Sequence, residues 1–194
     1  DYLTFVTNTV DDKKRILSTL LEIALIDPAY KNKLEEFYNA NNATTKKFGT
    51  YWMEAINANA KIAPSISLYM LNRKLFSSKQ LSGKWILVDF WGTWCGPCRE
   101  EHPDLQKFCD SIVVTKLENI SLLTIACRDT EEKVLNYLHE KQLTFPVAMS
   151  DNRIEHAYAV QGYPAKMLIT PEGKYITIPF GIDWLNFVKQ YCDL

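Results

Sequence analysis

The run Trp85-Ile86-Leu87-Val88-Asp89-Phe90 is apolar at every position but one, and it leads straight into Trp91-Gly92-Thr93-Trp94-Cys95-Gly96-Pro97-Cys98. A strand without polar alternation is covered on both faces, so it belongs inside a layered α/β sheet rather than at a solvated edge. A helix is expected from about residue 97 to 113, with Leu105, Phe108, Cys109 and Ile112 on one face. The two cysteines therefore stand where a buried strand ends and a helix begins, with both sulfurs in one helical turn. There the unpaired N–H groups and positive dipole end of the helix favour a thiolate at Cys95. Cys95 is the expected nucleophile, in the range of about 3.5 to 7.5 for activated cysteine pKa values. Cys98, one turn inside, is placed to attack a mixed disulfide and release the substrate.

The rest of the chain frames this segment. Of 194 residues, 47% are hydrophobic, enough for a large core, and 22 Lys+Arg against 23 Asp+Glu give a net charge of -1. That balance argues against a nucleic-acid-binding function, which needs a clustered cationic excess. Six of the seven glycines and seven of the eight prolines lie at or after Pro64, so residues 1–63 read as a different structure. Helical periodicity there predicts three helices, near 11–26, 28–40 and 45–60, with Asp27 capping a turn that opens on Pro28. From 64 to 194 the expected order is a hairpin (66–70 with 75–76), the strand at 85–90, the helix at 97–113 and a strand at 122–126. A helix at 130–141, a strand at 145–148, a short helix at 154–158, strands at 166–170 and 175–179 and a helix at 183–191 complete it. Strand, helix, strand implies a parallel pair with a right-handed crossover, and the closing hairpin adds antiparallel strands. No run approaches the roughly 20 apolar residues that span a bilayer. The chain starts at Asp1 without a basic-then-apolar leader, as expected if an upstream segment has been removed.

A bare C-x-x-C also fits half a zinc site or a structural disulfide. Structural zinc needs four ligands, and no second C-x-x-C or C-x-x-H pair exists, so no metal is expected. A structural disulfide would not need the strand-to-helix setting.

Val88-Asp89-Phe90-Trp91 through Trp94-Cys95-Gly96-Pro97-Cys98-Arg99 resembles the active-site segment of the thioredoxin superfamily. Leu81-Ser82-Gly83-Lys84, Cys98-Arg99-Glu100-Glu101-His102-Pro103, the extra helix and strand across 130–148, and Val160-Gln161-Gly162-Tyr163-Pro164 resemble the TlpA/ResA-like thiol-disulfide oxidoreductases. The resemblance covers about 64–194 and implies a thioredoxin-like fold, with 1–63 as a preceding all-α segment. It implies a cis bond at Tyr163-Pro164 opposite the cysteines, with Pro164 at the site and Trp94, Gly96, Pro97 and Tyr163 as the substrate-docking surface. No cofactor beyond the redox-active Cys95–Cys98 disulfide is expected. The implied partners are protein disulfides and an upstream dithiol donor, in a periplasmic or otherwise extracytoplasmic setting, with any membrane tether outside this chain. The Gly96-Pro97 dipeptide, shared with thioredoxins, favours a reductant.

Asp89, six residues before Cys95 in an apolar strand, suits a buried carboxylate of raised pKa that relays the proton of Cys98. The alternative is an acid that escapes to solvent at the strand end. Thioredoxins pair this acid with a lysine of the next strand, and Leu122 to Ala126 offers none. Asp129 aligns with a further acid of ResA-like members as a possible tuning group, but capping the next helix, with Glu132, is the favoured reading. Five cysteines are an odd number, which excludes a fully paired scaffold. Cys109 and Cys192 fall on apolar helix faces and are expected in the core. Cys127 ends a strand beside Arg128, where an inert buried thiol is the default reading and a second reactive thiol the alternative. None of the three histidines has a visible partner.

Two other readings stay open. A thiol peroxidase on the same fold would carry Thr three residues before its cysteine, where Gly92 stands, Thr93 being two before. A partner-binding module, docking through 1–63, would carry a vestigial dithiol.

Overall fold

A computed structural model describes residues 9–41 and 46–192. The described residues divide into two compact units: one ends at Asn59 and takes in residues 189–192, and the other runs Ala60–Val188.

The first unit holds α1 (Val10–Ile26), a 3-10 turn at Pro28–Tyr30, α2 (Lys31–Asn41) and α3 (Phe48–Asn59). The expected start of the third helix at 45 lies outside the described residues, as do positions 1–8 of the N-terminal segment. Thr9 caps α1 by accepting from the Asp12 N–H, and Asp27 caps the turn by accepting from Ala29 N–H, with Pro28 where its missing donor costs nothing. Leu34, Tyr38, Trp52 and Ile56 are buried, and Tyr38 stacks on Tyr51 at 4.6 Å between ring centroids. The phenol of Tyr191 donates to Leu25 O at 2.5 Å.

The second unit contains β1 (Lys61–Ile62), β2 (Ser67–Tyr69), β3 (Leu75–Ser77), β4 (Trp85–Trp91), α4 (Gly96–Val114), β5 (Ile120–Ala126), α5 (Glu131–Lys141), β6 (Val147–Met149), α6 (Ile154–Ala157), β7 (Ala165–Ile169) and β8 (Lys174–Ile178). The helix α7 (Trp184–Cys192) begins in it. The strand β1 is a departure from the sequence reading, which kept everything before 64 in the helical segment: Lys61 and Ile62 pair with Tyr175 and Lys174 of β8. Two residues carry too little periodicity to be read as a strand.

The six-stranded sheet has the order β1-β8-β7-β4-β5-β6, with β4, β5 and β6 parallel and the other pairings antiparallel. The hairpin β2-β3 forms a second sheet, tied to β6 by a bridge between Met70 and Ala148. This is the thioredoxin-like arrangement of a mixed sheet with flanking helices. All seven residues of β4 are buried. Ile86, Val88 and Phe90 pack with Leu123, Ile125, Met167 and Tyr158 on one face. On the other, Trp91 meets His102 of α4, and Asp89 pairs with Lys166, which also reaches Glu101 of α4.

Candidate functional site

Cys95 is the N-cap of α4, with extended backbone, and Cys98 lies inside the first turn. Their sulfurs form a disulfide of 1.98 Å across a Cα separation of 5.3 Å. Cys95 Sγ accepts the Cys98 N–H at 3.2 Å, so the sulfur occupies the capping-oxygen position at a helix start, where developing negative charge is stabilised. Both sulfurs are buried, Cys98 more deeply than Cys95. Pro97 stands in the first turn and is exposed, as Gly96 partly is.

The loop from β4 to α4 is held from two sides. Thr93 N–H donates to Asp129 Oδ2 at 2.7 Å, and Trp94 Nε1–H donates to Cys127 O at 3.2 Å. Gly92 is needed for this packing, because a Cβ there would lie 2.4 Å from Trp94 Nε1. Trp94 is nonetheless 51% exposed and meets the Tyr163 ring edge-on at 5.2 Å. The Tyr163-Pro164 peptide is cis, and Pro164 is buried beside Lys166 and Trp184.

Asp129 does not cap α5, contrary to the favoured sequence reading. Thr130 is the N-cap, accepting from Lys133 N–H, and Glu132 takes no part. Either residue has a suitable oxygen, and the backbone turns helical one position later than expected. That frees the Asp129 carboxylate for Thr93 N–H, a contact across 36 residues that no local pattern announces.

Asp89 is 1% exposed and has a cation partner after all. The lysine comes from the antiparallel neighbour β7, where Lys166 stands directly opposite Asp89, with Nζ 3.0 Å from Oδ1. Lys166 also donates to Glu101 of α4. One buried ammonium thus faces two carboxylates. Burial raises the Asp89 carboxyl above its ordinary value, Lys166 draws it back, and Glu101 adds to the rise. Desolvation works against the Lys166 charge, but Asp89 and Glu101 outweigh it and hold the ammonium. The buried Asp89 carboxyl is therefore readier to take up a proton than an ordinary aspartate.

His102 also has a partner that the sequence concealed. Its Nδ1 lies 2.8 Å from the Tyr137 hydroxyl, its ring is T-shaped on Trp91 at 4.5 Å, and Nε2 is buried without a hydrogen-bond partner. Burial, then the Lys166 charge, push the imidazole down from 6.5 to about 4. A histidine held neutral stabilises the fold above its unfolded pKa, and this contribution is lost as pH falls from about 6.5 to 4, where the unfolded state binds more protons. Integrated over that window it reaches about 3 kcal/mol. Asp89 acts in the opposite sense, since a raised folded value favours the fold toward acid. The expected result is that His102→Phe removes much of the acid sensitivity between pH 7 and 4.5, read by urea midpoints. An unchanged pH profile would place the sensitivity elsewhere.

Cys127 is fully buried, and burial followed by the Glu155 charge pushes its thiol up, in keeping with the inert buried thiol of the default reading; Arg128, though adjacent, is exposed. One cysteine expectation is corrected: Cys109 is half-buried rather than in the core, while Cys192 is buried. Among the described residues no group of three or more His, Cys, Asp or Glu is placed to hold a metal, and no helix is long and apolar enough to cross a membrane.

Comparison with known proteins agrees with this geometry. The AhpC/TSA family matches residues 60–177. The thiol-disulfide oxidoreductase ResA of Bacillus subtilis is 29% identical over 133 residues, covering 68% of this chain and 73% of ResA. The thioredoxin-like protein YneN of the same organism is 30% identical over 132 residues, 68% of this chain and 77% of YneN. Among solved structures, a thiol:disulfide interchange protein of the thioredoxin family from Chlorobium tepidum superposes with a TM-score of 0.59 at 26% identity, covering 69% of this chain and 94% of that one. The thioredoxin domain of a Bacteroides vulgatus thiol-disulfide oxidoreductase gives 0.60 at 25% identity, with 69% and 96% covered. With its cysteine pair at a strand-to-helix junction and these relatives, the chain belongs to the AhpC/TSA family of the thioredoxin superfamily and is a ResA-like thiol-disulfide oxidoreductase.

Proposed function

We propose that the protein works as a reductant of protein disulfides. The carrying observation for dithiol exchange is Cys95 Sγ in the capping position of α4, accepting the Cys98 N–H, and the Gly96-Pro97 dipeptide shared with thioredoxins supports the reducing direction. In the reduced form, the Cys95 thiolate attacks one sulfur of the substrate disulfide and expels the other as a thiolate, which takes up a proton. Cys98 then loses its proton and attacks Cys95 Sγ, releasing the second substrate thiol and closing the disulfide. Two electrons pass from the dithiol to the substrate; one of the two protons the substrate takes up is the one Cys98 loses, and the other comes from solvent. Asp89, with Lys166 and Glu101 around it, supplies a buried carboxyl of raised pKa suited to receive the Cys98 proton. Pro164 and Tyr163, with Trp94, Gly96 and Pro97, supply the surface against which an extended substrate segment lies.

An upstream dithiol donor would return the disulfide to the dithiol, in an extracytoplasmic compartment where substrate disulfides persist. Any membrane tether would lie outside this chain.

Equilibrating the protein with dithiothreitol buffers tests the direction. A reductant should give a potential near the thioredoxin value of about -270 mV, and a value near the -120 mV or so of a strong oxidant would overturn the reading. Insulin reduction by the wild type is expected alongside.

A further inference from the structure

The strand β5 delivers one more side chain to the rim of the disulfide. Arg128 has a left-handed backbone, φ 51°, which a residue with a Cβ adopts uncommonly. Its guanidinium lies over the Tyr163 ring, 5.6 Å from the centroid. Tyr163 precedes the cis bond to Pro164 and meets Trp94, the neighbour of Cys95. Arg128, Tyr163 and Trp94 thus form one continuous rim of cation and aromatic faces beside the reactive sulfur.

The charge on that rim is unspent. Arg128 is exposed and makes no ion pair among the described residues. The Asp129 carboxylate next to it accepts the N–H groups of Thr93 and Thr130. Glu155, whose charge also reaches Tyr163, is buried and accepts from the Ser150 hydroxyl. The other arginine near the cysteines, Arg99, lines a separate cleft with Glu100, Tyr137 and Lys141, and after Lys141 it helps to lower the Glu140 carboxyl.

We propose that Arg128 is a specificity-determining residue that selects disulfide substrates carrying a carboxylate beside the reacting cysteine. An extended segment laid against Tyr163 and Trp94 brings the side chain next to its cysteine under the guanidinium, where an aspartate or glutamate finds a fixed cation and a lysine is repelled. The ring beneath holds the guanidinium in place and leaves its N–H edge free for the carboxylate. This deepens the reductase reading and rests on it.

The test uses quenched fluorescent peptide disulfides that are identical except for Glu, Gln or Lys beside the cysteine, with the whole chain as enzyme. At low salt the wild type should show a kcat/KM ratio of Glu to Lys peptide of roughly tenfold, collapsing toward unity near 0.5 M salt as screening sets in. Arg128→Gln should lose the preference, Arg128→Glu should reverse it toward the Lys peptide, and Arg99→Gln should keep it. Mere structural damage would not reverse a charge preference. The proposal is overturned if the wild type shows no preference at low salt, if Arg128→Gln or Arg128→Glu leaves it unchanged, or if Arg99→Gln abolishes it. Failure of the wild type to reduce even the Gln peptide would instead strike the reductase reading.

Discussion

Replacing Cys95 by serine is expected to abolish disulfide reduction, with a loss of at least about a thousandfold, because a hydroxyl at ordinary pKa cannot replace a thiolate as nucleophile. Cys98 cannot take over, being 1% exposed behind Cys95 and the first turn of α4. Cys98→Ser should behave differently. Cys95 can still attack, expelling one substrate thiol, but nothing resolves the bond that remains. Intact mass measured without reductant should then show the Cys98→Ser protein carrying half of the substrate, and Cys95→Ser carrying none. Turnover by Cys95→Ser above a few per cent of wild type, or adduct on Cys98 in that variant, would reverse the assignment. Ultraviolet titration of the reduced wild type should find one thiolate well below the usual cysteine value, as its capping position requires.

The second large effect concerns the buried charges. Lys166→Met removes the ammonium and leaves Asp89 and Glu101 facing each other at the base of α4. Removing one partner of a buried pair typically costs about 3–5 kcal/mol, since the remaining charge is neither solvated nor compensated. The pH dependence follows from the direction of the Asp89 shift. Without Lys166 the carboxyl rises further above its unfolded value, so the folded state favours the protonated acid and loses stability as pH climbs through the raised value. The variant should therefore be weakened more at pH 8 than at pH 5, the opposite of the His102 effect. Asp89→Asn in the same background should recover part of the loss and flatten the profile. Urea denaturation at the two pH values checks this, and a loss under about 1 kcal/mol at pH 8 would contradict a buried ion cluster.

What could be read from the chain was what is local. The nearly all-apolar run of β4, the cysteines at a helix start and the helical periodicity of 11–26 are each set by residues a few positions apart. The relations that failed to show cross the fold. Lys166 was the available partner for Asp89, and an isolated lysine in the run Ala165-Lys166-Met167-Leu168-Ile169 was a usable signal. The parallel neighbour at 122–126 carries no lysine, and the pairing that matters is with β7. His102 and Tyr137 are 35 residues apart on different helices, and neither sits in a pattern suggesting the other. For Asp129 and Thr130, two capping residues in a row, the outcome turned on one residue of helix phase.

The cross-strand placement of Asp89 and Lys166 also bears on how the chain finds its pairing. Around them, Val88 faces Met167 and Phe90 faces Ala165, apolar couples that tolerate exchange. A shift of β7 by one residue would set the ammonium against Val88 or Phe90 and turn the strand's faces inside out, stranding both charges in hydrocarbon. The ion pair thus works as an alignment key: it contributes less by adding stability to the correct sheet than by making each neighbouring misalignment untenable while β7 docks.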